Sequence, residues 1–264
     1  MKLPALIGRR EWIAGMIGAG AAARAAASGV FEAIEVNHVA LRVADLEDSE
    51  EFYRKMFGAP GIIFEKPGQR YMRMRRNFVA LFERDQPAMD HFAISVEGYD
   101  ADAVQRKTET LGLNPRRSSS FVYVLDPDGI EVQIAHPEHE VHSPVVRRPP
   151  ATSVFRGNGV NHVALRVSDL ERSREFYQKL FGLAVVRQTS SNCFLGLGEN
   201  FLALFAGSPT GMHHFCISVE EYTADEAVKL ASREGLNPRR SGDRVYFDDP
   251  NGLEVQVASG SHQP

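Results

Sequence analysis

The chain has 264 residues, 43% hydrophobic and 24% charged, with a net charge of −4. This composition excludes a disordered or fibrous chain, and the lack of a basic surplus argues against nucleic acid as a partner. No run approaches the ~20 apolar residues of a membrane span, and the two cysteines, Cys193 and Cys216, can make at most one bridge, which excludes a disulfide scaffold.

Residues 1–35 form a leader and short spacer. Arg9 and Arg10 precede an Ala/Gly-rich stretch, and Ala25, Ala26 and Ala27 supply the small residues of a cleavage site. The stretch resembles a twin-arginine export signal. Gly8 stands where Ser or Thr is usual, and Arg24 interrupts the apolar run. The resemblance implies an exported, periplasmic or extracellular protein. The other reading is a leader helix on a cytoplasmic one.

From residue 36 the alternation of HVALRV predicts a strand with His38, Ala40 and Arg42 on one face and Val39, Leu41 and Val43 on the other. Asp45 is placed to cap a helix that carries Leu46, Phe52, Tyr53, Met56 and Phe57, and Gly58 ends it. Strand-like runs follow: GIIFEK, RYMRMR, NFVALFE and HFAISVE. A second helix covers about 100–111 and stops at Gly112, and FVYVL and EVQIA are further strands. The chain then repeats itself. Residues 36–58 and 160–182 are identical at 18 of 23 positions, and DHFAISVE, GLNPRRS and DPDGIEVQI recur as HHFCISVE, GLNPRRS and DPNGLEVQV. Thr223 and Glu226 have capping-box spacing at the helix of the second copy. The expected organisation is a domain over 36–136, a Pro-containing linker over 137–158, a second domain over 159–258 and a tail over 259–264. Strand–helix–three strands, performed twice per copy, gives four βαβββ modules of α+β class.

The N-H-V-A-L-R-V strand, the D-L-x-x-S-x-x-F-Y-x-K-x-F-G helix, the A-L-F strand and the D-P-x-G turn together resemble the vicinal oxygen chelate superfamily, which includes glyoxalase I, bleomycin-resistance proteins and extradiol dioxygenases. The resemblance covers residues 36–136 and 159–258. It implies two cup-shaped mixed sheets in tandem, each able to hold a divalent metal, and a small-molecule substrate. An internal domain pair fits a monomer or a homo-oligomer alike.

The resemblance places metal ligands at His38 and His91 in the first copy and at His162 and His214 in the second. For the third ligand it points to Gln133 and Gln256, where the superfamily has Glu. Glu131 and Glu254 lie two residues earlier on the same strand face. A Glu would complete a facial triad suited to Fe(II) or Mn(II), with Zn(II) also compatible; a Gln would supply a neutral oxygen. The second copy is favoured as the metal site. There His213 adjoins His214, and simple alternation turns it to the opposite face. Tyr123 and Tyr246 match the catalytic Tyr of extradiol dioxygenases. Leu81 and Leu204 stand near the place of glyoxalase I's fourth-strand carboxylate, and no acid–base His separates the His ligands. Arg42 and Arg166 share a face with the strand histidines and would favour an anionic ligand. Cys216 shares the face of His214. With Arg73 and Arg75 in the first copy against Phe194 and Leu195 in the second, the first cup is expected to be the more basic and the second the more apolar and roomier.

Two functions remain open on this reading. One is a metal-dependent enzyme, most like a ring-cleaving dioxygenase or otherwise a glyoxalase-type lyase. The other is a metal-free binding protein of the bleomycin-resistance type.

Overall fold

The computed structural model describes residues 28–59, 61–63, 67–138, 145–147 and 152–264. The proposed export signal lies almost wholly in 1–27, outside the described residues. Each half is two βαβββ modules. The first comprises β1 (Ala33–Val43), α1 (Leu46–Phe57), β2 (Gly61–Ile63), β3 (Gln69–Arg73) and β4 (Phe78–Glu83). The second comprises β5 (Ala88–Val96), α2 (Ala101–Thr110), β6 (Arg116–Ser118), β7 (Phe121–Leu125) and β8 (Glu131–Ala135). A short β9 (Val145–Arg147) follows in the expected linker. The second half repeats the pattern with β10 (Gly157–Val167), α3 (Leu170–Phe181), β11 (Ala184–Gln188), β12 (Asn192–Leu197) and β13 (Asn200–Ala206). It ends with β14 (Gly211–Val219), α4 (Ala224–Arg233), β15 (Arg239–Ser241), β16 (Arg244–Asp248) and β17 (Glu254–Ser259).

The helices start and stop where their caps dictate. Asp45 accepts from the Asp48 amide, Asp169 from Arg172 and Thr223 from Glu226. Gly58 and Gly182 end α1 and α3 in the left-handed region, with φ of 67° at both, which a residue with a Cβ adopts at a cost.

The second sheet runs β11-β12-β13-β10-β14-β17-β16-β15, and the first runs β6-β7-β8-β5-β1-β4-β3-β2-β9, with β9 added at its edge. In each sheet the two modules meet at the centre, β1 against β5 and β10 against β14, both antiparallel. The first and last strands of every module pair in parallel: β1 with β4, β5 with β8, β10 with β13, and β14 with β17. This arrangement puts the first strand of each module at the middle of the sheet, where its histidine lies at the floor of a concave face.

The alternation of HVALRV has its expected outcome. Val39, Leu41, Val43, Val163, Leu165 and Val167 are fully buried in one core that runs through both domains. The opposite face carries the histidines with small apolar clusters, Ala40, Phe78 and Ala80 in the first domain and Ala164, Phe194, Phe201 and Ala203 in the second. Leu81 and Leu204 belong to the shared core. They therefore do not occupy the cup position expected of them; Phe78, Ala80 and Phe82, or Phe201, Ala203 and Phe205, do, because their register partners on the first strand start at His38 and His162.

The F-Y and D-P-x-G motifs join the domains. Asp249 takes the Leu253 and Asn251 amides on Oδ1 and the hydroxyl of Tyr53 on Oδ2 at 3.0 Å. Asp126 does the same with its own turn and with Tyr177 at 2.9 Å. Each turn is thus pinned to the other domain's helix by a buried hydrogen bond.

Candidate functional site

His38, His91, His162 and His214 are all buried and all face the cups. Their neighbours decide the tautomer of each ring. Asn37 donates from Nδ2 to the His136 carbonyl and to Ser95, so its Oδ1 is the acceptor turned toward His38 Nδ1, 2.8 Å away. His38 Nδ1 therefore carries the proton, and Nε2 presents a lone pair. Asn161 repeats this with the His262 carbonyl and His162 Nδ1, at 2.9 Å for the latter. The Asn of VNHVALRV thus sets the tautomer of the His beside it.

The second histidine is oriented from the mouth of the cup. His91 Nδ1 lies 2.8 Å from Asp90, whose carboxyl is held below its usual range chiefly by that hydrogen bond. His91 Nε2 then faces His38 Nε2 at 3.4 Å. Two lone pairs at that separation repel unless a cation or proton lies between them. Two nitrogens each about 2.1 Å from one ion stand about 3.0–3.4 Å apart. In the second domain the rings of His162 and His214 hold the same edge-on relation, with centroids 5.6 Å apart against 5.4 Å. Burial drives the pKa of His162 well below its ordinary value and that of His214 down to about 3, so both remain neutral at physiological pH, as ligation requires.

The two candidates for a third donor occupy different places. Gln256 lies opposite Cys216, which lies opposite His162, and its carboxamide is in range of both histidines and partly offsets their fall in pKa. Gln256 is 1% exposed and Gln133 is 2% exposed, and the Nε2 of each carboxamide has no partner. Glu131 and Glu254 stand nearer the mouth. Both oxygens of Glu131 bind Arg116, at 2.8 and 2.7 Å. Glu254 binds Arg239 through Oε1, and its Oε2 lies 3.8 Å from Nδ1 of His214, without a hydrogen-bond partner. The carboxylate therefore addresses the mouth-side nitrogen of the ring. Two neutral imidazoles and the Gln256 carboxamide oxygen turned toward them fit a divalent cation, with Glu254 and Asp90 as supports of the second histidine.

Simple strand parity failed at His213. Ala164 pairs with His214, but Leu165 pairs with Met212, so His213 is the extra residue of a β-bulge. The bulge swings its ring to the cup side, with Nδ1 2.8 Å from Nδ1 of His214. Asp90 is the bulged residue of the first domain. Three further groups escaped the sequence reading. Arg116 and Arg239 arrive on β6 and β15, short strands hidden in GLNPRRS, and lie over the rings of Tyr123 and Tyr246 at 3.7 and 4.3 Å. His262, from the tail, has its ring 5.6 Å from that of His162. Only the D-P-x-G spacing and the tail's lone His hinted at them.

Tyr123 and Tyr246 meet His91 and His214 edge-on, at 5.3 and 5.4 Å between centroids. Burial raises both phenols, so they stay protonated and able to donate. Cys216 is fully buried beside Gln256 and lines neither described cavity; it and Cys193 are free thiols. A cavity of about 170 Å³ lies over His162, His214, Gln256 and Tyr246, walled by Phe194, Phe201 and Phe205. A second, of about 270 Å³, opens beside it toward Arg166, His213, Arg239, Arg244 and Glu254. The second cup is not wholly apolar: Arg187 and Arg244 reach it.

The family model described as the Glyoxalase/Bleomycin resistance protein/Dioxygenase superfamily matches residues 159–257. The second domain belongs to that superfamily. The first, by its repeat and its sheet order, has the same fold. Glyoxalase I of Saccharomyces cerevisiae is 22% identical over 218 residues, which cover 66% of this chain and 65% of that protein, so the chain spans just under two thirds of its length. The crystal structure of the Mn(II)-bound glyoxalase from Novosphingobium aromaticivorans superposes with a TM-score of 0.69 at 17% identity, over 88% of this chain and 84% of that one. Homoprotocatechuate 2,3-dioxygenase from Arthrobacter globiformis superposes with a TM-score of 0.71 at 19% identity, over 88% and 81%. At such identities the superfamily likeness in structure is one of fold.

Proposed function

We propose that the second domain is the catalytic cup of a divalent-metal-dependent enzyme acting on a small oxygen-bearing molecule. His162, His214 and the Gln256 carboxamide are the residues that would hold the ion, with His38, His91 and Gln133 as the matching set in the first domain. The observation that carries this reading is the 2.9 Å contact between Asn161 Oδ1 and His162 Nδ1: Asn161 accepts a hydrogen bond from Nδ1–H, which leaves the Nε2 lone pair inside the cup. A metal bound there would act as a Lewis acid on a substrate oxygen, and Mn(II), Fe(II) or Zn(II) suits nitrogen and oxygen donors.

The chain's own residues do the rest. Glu254 and His213 orient His214 from its Nδ1 side. Phe194, Phe201 and Phe205 form an apolar wall of the cup. The protonated Tyr246 offers a hydrogen bond to a substrate oxygen beside His214. Of the superfamily's chemistries, ring cleavage of the extradiol type suits that Tyr, and the apolar fourth strand supplies no carboxylate for a glyoxalase-type reaction. A metal-free binding cup is the second reading, favoured by the lack, among the described residues, of a carboxylate directed at the inner side of the histidine pair.

Metal analysis decides between them. After loading with Mn(II), Fe(II) or Zn(II), the purified chain should retain about one equivalent or more per cup, and His162→Ala and His214→Ala should each remove the equivalent of the second domain. Retention below about a tenth of an equivalent, unchanged in both variants, would leave the binding-protein reading standing.

A further inference from the structure

The two cups are built from near-identical strands, yet the pairing of their charges differs. In the first domain Arg42 is paired with Asp90 at 3.2 Å, and Arg116 is held by both oxygens of Glu131. In the second domain the place of Asp90 is taken by His213, so Arg166, the counterpart of Arg42, loses its carboxylate. The place of Phe121, at the start of β7, is taken by Arg244, at the start of β16. Among the described residues neither Arg166 nor Arg244 forms an ion pair, and Arg187 lies over the ring of Phe194 instead. Four arginines line the two cavities of this domain against two carboxylates, Asp243 and Glu254, and Glu254 already holds Arg239.

Neither of the half-buried Arg166 and Arg244 guanidinium groups has a carboxylate partner among the described residues, and Arg244 donates only from Nε to the Ser241 carbonyl, so both are available to take the charge of an anion. The substitutions that create the excess fall on cup-facing positions, while the core faces of the two copies are alike. Arg244 lines both cavities and so stands between the mouth and the histidines. A volume of about 270 Å³ accommodates roughly nine waters, which is the size of a molecule of about ten heavy atoms.

We propose that the second cup, and not the first, is selective for a small anion bearing a carboxylate or phosphonate group, whose charge is taken by Arg166 and Arg244 at the mouth while its remaining oxygens point inward to His162 and His214. The inward orientation rests on the metal reading of those histidines; the selection for negative charge does not. Arg244 is the specificity-determining residue, because it is the position at which the first copy has an aromatic ring.

Calorimetric titration of the full chain with malonate, methylphosphonate and the uncharged dimethyl malonate tests this, in metal-free and Mn(II)-loaded forms. At low salt malonate or methylphosphonate should bind, the better of the two naming the headgroup, and dimethyl malonate should not. Arg244→Phe, which installs the first copy's residue, and Arg166→Gln should each weaken anion binding about tenfold or more, with thermal midpoint and Mn(II) content unchanged as a check on folding. Equal binding of dimethyl malonate, or wild-type anion affinity in both variants, overturns the proposal. Mn(II) retained without anion binding refutes this inference alone. Anion binding retained, and lost in Arg244→Phe, in a chain that takes up no metal refutes only the metal reading and leaves the arginine site in place.

Discussion

Replacing Asn161 by Ala should uncouple the second cup from its metal without touching a ligand. Asn161 is 4% exposed, accepts the Nδ1 proton of His162 at 2.9 Å and donates to the His262 carbonyl at 3.4 Å. Without it, a buried N–H either goes unpaired, at about 1–3 kcal/mol, or the proton moves to Nε2 and occupies the lone pair that faces the cup. A total loss of about 2 kcal/mol lowers the thermal midpoint by roughly 4–8 °C in a protein of this size. Loss of such an orienting partner weakens metal binding by about 10–100-fold. Competition against a chromogenic chelator measures the affinity, and thermal denaturation the stability. Asn161→Asp is the control, since a carboxylate accepts the same proton and should keep most of the affinity. If Asn161→Ala loses stability but binds metal like the wild type, or if the Asp and Ala variants fall equally in affinity, Asn161 is merely structural and the tautomer argument fails.

Three further outcomes follow from the same geometry. Gln256→Glu should bind Mn(II) at least about tenfold more tightly at neutral pH, because a carboxylate offsets the ion's charge where an amide does not; unchanged affinity would mean that residue 256 does not face the ion. Tyr53→Phe should cost about 1–3 kcal/mol in urea denaturation by leaving Asp249 short of a buried partner, and Tyr177→Phe should match it through Asp126; no loss in either would refute the inter-domain pinning. In metal-free protein His214 is protonated near 6.5 when unfolded but only near about 3 when folded, because burial disfavours its charge. The unfolded chain therefore binds more protons below pH 6.5, and stability should decline from that pH toward 3. A urea midpoint that is flat between pH 7 and 5 would contradict this.

Much of the fold was legible because strand alternation and helix caps are local. The faces of HVALRV, the caps at Asp45 and Thr223, the Gly58 stop and the two-copy organisation all follow from residues a few positions apart. Leu81 and Leu204 went astray because a motif alignment named the strand without its register, and the parallel pairing with β1 and β10 puts them in the core. His213 went astray for the opposite reason: parity holds only in an unbroken ladder, and a bulge breaks it there. The roles of Arg116 and Arg239 were out of reach, since they depend on strands three residues long that close the sheet edges. The choice between Glu254 and Gln256 required three dimensions as well. Both share a face, but Arg239 engages the first at the mouth while the second lies against both histidines.

The proposed metal between His162 and His214 of the second cup would be visible crystallographically. Anomalous X-ray diffraction from Mn(II)-soaked crystals of the full chain, collected at the manganese edge, tests it most directly. A peak is expected within ligand distance of His162 Nε2, the His214 ring and the Gln256 side chain, and it should disappear in His162→Ala. A peak held only by His213 and Glu254 at the mouth, or none in the cup at full soaking, would contradict it.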